Sequence, residues 1–123
     1  MESAGQLIFV YGSLKRGYRL HRLLTAQEFL GSAQTACQYR MYDLGEYPGL
    51  TEAHNGVSVR GEVYRVSAEC LQTLDDVEEV EAGIYARRCV RLTGDFSGQS
   101  VDAWFWQRSV SGCRDCGNSW PAS

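Results

Sequence analysis

The residues best suited to chemistry in this chain fall in two short stretches. The first follows an apolar run, Leu7 to Val10, that breaks into Tyr11-Gly12-Ser13-Leu14-Lys15-Arg16-Gly17. A buried strand ending in a glycine-bracketed loop turns main-chain N–H groups out of the sheet ladder, where they can hold an anion. The same pattern also describes a plain strand-to-helix turn, so the loop alone decides nothing. The second stretch is the acidic run LDDVEEVE, from Leu74 to Glu81. At about 100° per residue, Cys70, Leu74 and Val77 share an apolar stripe, Glu78 falls about 60° from its centre, and Asp76 and Glu79 point away. A carboxylate on an apolar face is costly as an anion. It is paired with an arginine, released into water at a frayed helix end, or set at the lip of a cavity as a base. The helix pattern leaves all three open.

Other constellations are weaker. Cys113 and Cys116 form a CRDC pair, half of a zinc site or a redox dithiol, but no second CxxC or HxxxH completes a tetrahedral set, so a flexible turn is the simpler reading. Cys37, Cys70 and Cys89 lie in apolar segments and read as core residues. Ser13 lacks the GxSxG elbow of a hydrolase nucleophile, and His21 and His54 have no evident partner.

Those residues need a scaffold, and apolar periodicity outlines one. Leu7 to Val10 reads as a buried strand, and Tyr18 to Leu30 as a helix or irregular helical turn ending at Gly31. Residues 34 to 42 alternate as a half-buried strand does, with Cys37, Tyr39 and Met41 on one face, before Tyr47-Pro48-Gly49-Leu50 turns the chain. Val57, Val59 and Val63 mark a further strand in which Gly61 signals a bulge or a close backbone approach. The clearest helix starts at Ser67 as N-cap, carries Glu69 in its first turn and ends before Gly83. Tyr85 to Leu92 and Val101 to Gln107 are two more strands, with Trp104 and Trp106 on one face of the second and Phe105 on the other. Strands outnumber helices, which predicts an α+β domain with a curved or closed sheet.

Composition sets limits on partners. The 123 residues suffice for a single domain over 1–123 without disulfides or metal staples, with a flexible tail expected over 111–123. A net charge of −3 and a single lysine, Lys15, argue against a nucleic-acid surface. The opening MESAGQ carries no basic region, and the apolar run after it is too short for a signal peptide or a membrane span. A cytoplasmic protein is expected.

Taken in order, LIFVYGSLKRG, MYDLGEYPGL, GEVYRV and LDDVEEVEAGIYARR resemble the gamma-glutamylcyclotransferase-like family, especially its gamma-glutamylamine cyclotransferase and AIG2-like branch. The resemblance covers nearly the whole chain. It implies a small mixed β-barrel with packed helices and a cofactor-free enzyme of transferase or lyase type that converts small gamma-glutamyl amines or peptides to 5-oxoproline and a free amine. The family's catalytic glutamate falls on Glu78, and its substrate-binding loop on Tyr11, Gly12, Ser13 and Leu14. Family members often carry glycine after that glutamate, where this chain has Glu79, a residue able to crowd or recharge the rim of a pocket.

Such chemistry explains the missing triad. The substrate's own α-amine attacks its γ-carbonyl, so nucleophile and proximity come with the substrate. The protein must supply a base stronger than an ordinary carboxylate, which burial of Glu78 would provide, and donors for the oxyanion, which the loop N–H groups would provide. Lys15 and Arg16 could attract an anionic substrate, and Tyr85 could donate its hydroxyl or simply pack. Two other functions remain open: removal of a gamma-glutamyl cap from a biosynthetic intermediate, and a non-catalytic barrel that binds an anionic small molecule.

Overall fold

The strand Val101–Trp106 (β7) organises the sheet, because three other strands pair with it. In the computed structural model, which describes residues 5–120, the preceding elements are β1 (Gln6–Val10), β2 (Glu28–Gln34), β3 (Tyr39–Asp43), β4 (Pro48–Glu52), β5 (Arg60–Val66), helix α1 (Ala68–Val77) and β6 (Tyr85–Cys89); β8 (Arg114–Asp115) follows. Strand order is β2-β5-β1-β7-β4-β3-β8, with β6 also on β7, and the mixed sheet curls into a half-barrel with one helix packed on it.

β6 lies antiparallel along one edge of β7, from Tyr85↔Trp106 to Cys89↔Asp102. The opposite edge is shared: β1 pairs in parallel at Leu7↔Val101 and Ile8↔Asp102, and β4 pairs in parallel at Leu50↔Phe105. β1 and β4 therefore fork from a common edge. The chain leaving β1 at Tyr11 enters that fork.

Side-chain alternation divides the apolar residues between two faces. Phe9, Val101, Ala103 and Phe105 join Met41, Leu50 and Val63 in the core that the curl encloses. Ile8, Val10 and Trp104 face the other way, where Leu24, Cys70 and Leu74 cover them. Gly61 is a close approach, as its place in a valine strand suggests: a Cβ there would lie 2.6 Å from Phe9 Cζ.

Several local expectations change. Of the two readings of Tyr18 to Leu30, the irregular helical turn holds, as a 3₁₀ turn at His21–Leu24, and the end of the segment is instead the start of β2. Tyr47-Pro48-Gly49-Leu50 turns only at its start, and Pro48 opens β4. Cys37 and Cys89 are exposed rather than core, since Cys37 precedes β3 and Cys89 closes β6 at the rim, while Cys70 is buried. The tail expected to be flexible instead packs over 114–120. β8 pairs with β3 at Tyr42↔Asp115, and Cys116 and Trp120 are buried in the enclosed core. The last three positions of that tail lie outside the described residues.

Candidate active site

The loop after β1 forms one wall of a recess. Tyr11 swings its ring into the enclosed core, and its hydroxyl donates to the Trp104 carbonyl at 2.6 Å and accepts from the Leu50 N–H at 3.2 Å. One hydroxyl thus supplies the hydrogen bonds that the fork between β1 and β4 takes from the ladder. Burial, and secondarily the nearby Glu78, push that hydroxyl's pKa well above its usual value, so it stays a donor. Gly12 is needed because Pro48 is close: a Cβ at Gly12 would sit 2.6 Å from both Pro48 Cγ and Cδ. The turn closes through Lys15 N–H to the Gly12 carbonyl at 3.0 Å and Leu20 N–H to the Ser13 carbonyl at 2.9 Å. Among the described residues, the N–H groups of Gly12, Ser13 and Leu14 have no acceptor. Consecutive unpaired N–H groups make a concavity suited to an anion.

The end of α1 forms the facing wall. Ser67 caps the start, its Oγ accepting from Cys70 N–H at 3.1 Å, and Leu74 is buried beneath the helix. Glu78 is the C-cap residue, with its N–H donating to the Leu74 carbonyl at 2.9 Å. The next residue, Glu79, has φ 55° and is the only non-glycine among the described residues with positive φ. Val80 N–H reaches the Asp75 carbonyl at 3.1 Å and Glu79 N–H the Asp76 carbonyl at 3.1 Å, the bonding of a Schellman motif. That motif favours glycine at the position Glu79 occupies.

Glu78 is partly buried at the lip, and its pKa rises from the ordinary carboxylate range to about 7. Burial contributes most, followed by the like charges of Asp75 and Glu79. The negative end of the α1 dipole acts in the same sense. Asp75 itself is held by partners: it accepts from Arg87 Nε at 3.0 Å and from Trp104 Nε1 at 2.9 Å, while Arg87 Nη1 also reaches Asp102 at 2.7 Å. This network pins the last turn of α1 to β6 and β7.

Between the walls lies a small recess lined by residues 9 to 14 together with Tyr47, Pro48, Glu78, Tyr85 and Trp104. Phe9, Val10, Leu14 and Trp104 close its floor. Beyond Ser13, Tyr47, Glu78 and Tyr85, which belong to both, it opens into an outer chamber that adds Arg19, Leu20, Val77, Glu79 and Ile84.

Glu78, Tyr85 and residues 11 to 14, all expected from the sequence, therefore border one recess. One of them contributes differently from expectation. Tyr85 spends its hydroxyl proton on the Pro48 carbonyl at 2.7 Å, leaving an oxygen lone pair and a ring that packs edge-on to Trp106. Lys15 and Arg16 turn away from the recess: Lys15 Nζ donates to the Trp120 carbonyl at 2.6 Å, and Arg16 Nε pairs with Glu62 at 3.4 Å. Tyr47, Pro48 and the Asp75–Arg87–Trp104 network were missed; the YPG sequence and the position of Asp75 at the margin of the apolar stripe were the available signals. Cys113 and Cys116 lie outside both chambers, and burial pushes the Cys116 thiol up to about 11. Among the described residues, no three His, Cys, Asp or Glu side chains gather as a metal-ligand set, and no helix is long and apolar enough to cross a membrane.

The fold has relatives. Residues 8–121 match the model of the family described as gamma-glutamyl cyclotransferase, AIG2-like, and the chain belongs to that family. The gamma-glutamylcyclotransferase family protein YtfP of Escherichia coli is 35% identical over 107 residues, covering 87% of this chain and 88% of its own. The solution structure of E. coli YtfP superposes with a TM-score of 0.71 at 32% identity, over 94% of this chain and 96% of that one. A mouse AIG2-like protein gives 0.69 at 28% identity, over 87% and 79%. A Vibrio cholerae relative is 47% identical over 74 residues, 60% of this chain; the match spans less than two thirds of that protein, 63%.

Proposed function

We propose that this chain is a gamma-glutamyl cyclotransferase acting on a small gamma-glutamyl amine, with Glu78 as base and acid and residues 11 to 14 as the anion-holding loop. The observation that carries the proposal is the carboxyl of Glu78, held up to about 7 in a recess faced by three unpaired main-chain N–H groups. The recess bears no lysine or arginine among its lining residues, so an anionic glutamyl group would rely on those N–H groups.

In this scheme Glu78 takes a proton from the substrate's α-amine, which attacks the γ-carbonyl. A carbon–nitrogen bond forms, and the carbonyl oxygen becomes an oxyanion facing the loop donors, each typically worth on the order of 100-fold in rate. Protonated Glu78 then hands its proton to the amide nitrogen as that carbon–nitrogen bond breaks, giving 5-oxoproline and the free amine. A pKa near neutrality suits both transfers.

The test is release of 5-oxoproline from a panel of gamma-glutamyl amines by the native protein and by Glu78→Gln. The substitution is expected to cut kcat by roughly 1000-fold. Equal turnover by the two proteins would overturn the mechanism.

A further inference from the structure

Resting on that proposed function, we infer that the outer chamber is a leaving-group subsite selective for a cationic amine, and that Glu79 sets this selectivity. The path out of the recess carries the inference. Buried Phe9, Val10, Leu14 and Trp104 block the floor, so an amine attached to a glutamyl group in the recess must pass Ser13, Tyr47 and Tyr85 into the outer chamber. There it meets apolar surface from Leu20, Val77 and Ile84, suited to a short carbon chain.

Carboxylates outnumber cations in that chamber, where Glu78 and Glu79 line the wall with Arg19. Arg19 is paired with Glu46 at 3.3 Å, whereas the exposed carboxylate of Glu79 has no ion-pair partner among the described residues. The ligand class that matches is a primary amine joined to the glutamyl group at one end and bearing a second, protonated amino group at the other. A simple alkyl amine would fill the same apolar surface and leave Glu79 unpaired. Because the distal charge lies away from the reacting bond, its effect falls on KM and leaves kcat alone.

The experiment compares the gamma-glutamyl monoamide of 1,4-diaminobutane with gamma-glutamyl-n-butylamide. The native protein is expected to favour the diamine compound about fivefold in kcat/KM, the size of an exposed ion pair, through KM, and to lose that preference at high salt. In Glu79→Gln the ratio should fall to near one, and in Glu79→Asp it should be partly restored. Equal kcat/KM for both compounds with the native protein, or an unchanged ratio in Glu79→Gln, would overturn the inference. Calorimetric binding of both compounds to Glu78→Gln separates the two claims. Preferential binding of the diamine compound without turnover by the native protein would sustain the subsite and sink the cyclotransferase, whereas turnover without preference would do the reverse.

Discussion

The two walls of the recess are built by opposite means. The loop wall is held by its side chains and offers its backbone: Tyr11 bridges Trp104 and Leu50, Gly12 fits against Pro48, and the unpaired groups are main-chain N–H. The helix wall is held by its backbone and offers its side chains. A Schellman turn fixes Glu78 and Glu79, one carboxyl is driven toward neutrality, and a non-glycine residue sits at φ 55°. The loop wall is thus built from favourable contacts, while the helix wall carries unfavourable ones around the proposed base.

The contrast is sharpened most by Glu78→Gln. Beyond the loss of turnover, it should raise stability at neutral pH, because ionising a carboxyl whose folded pKa lies near 7 costs the native state roughly 2 to 3 kcal/mol relative to the unfolded chain. The sign follows from a folded pKa above the unfolded one. Native stability is full below about pH 4.5, falls as pH rises toward 7, and is level above that, so thermal melts of native and variant should converge at low pH and separate by pH 8. The native kcat should rise through the same midpoint. Melts that stay parallel across that range would break the contrast.

On the loop wall the same kind of change should harm. Gly12→Ala drives a methyl into the rigid Pro48 ring and is expected to cost about 1 to 3 kcal/mol in denaturant unfolding. Tyr11→Phe strips the partner from two buried main-chain groups at once and should cost about 2 kcal/mol. A neutral outcome for either would mean that the fork between β1 and β4 is held by something else. The smallest effect returns to the helix wall: Glu79→Gly relieves the positive φ and should stabilise by about 1 kcal/mol, read as a higher urea midpoint with unchanged slope.

Much of this was legible in the sequence where the pattern is local. β1, the Ser67 cap and the two faces of β7 follow from apolar period alone, and the helical count put Glu78 on the covered side of α1. β2 was not legible, because Glu28–Gln34 is mostly exposed or half-buried along its length and owes its conformation to pairing with β5. The Tyr11 hydroxyl and the Asp75–Arg87–Trp104 network escaped for a related reason. Their partners are far apart in the chain, and no local period records them.

The shared edge of β7 also governs when the recess can exist. The Tyr11 bond to Trp104 spans 93 positions, and both parallel pairings of β1 and β4 wait for the same late strand. During synthesis the loop N–H groups emerge long before, and Glu78 shortly before, the strand that brings their walls together, so for an interval the nascent chain carries every candidate catalytic group yet no pocket. Non-local parallel pairing of this kind also forms slowly, which places assembly of the recess among the last events of folding.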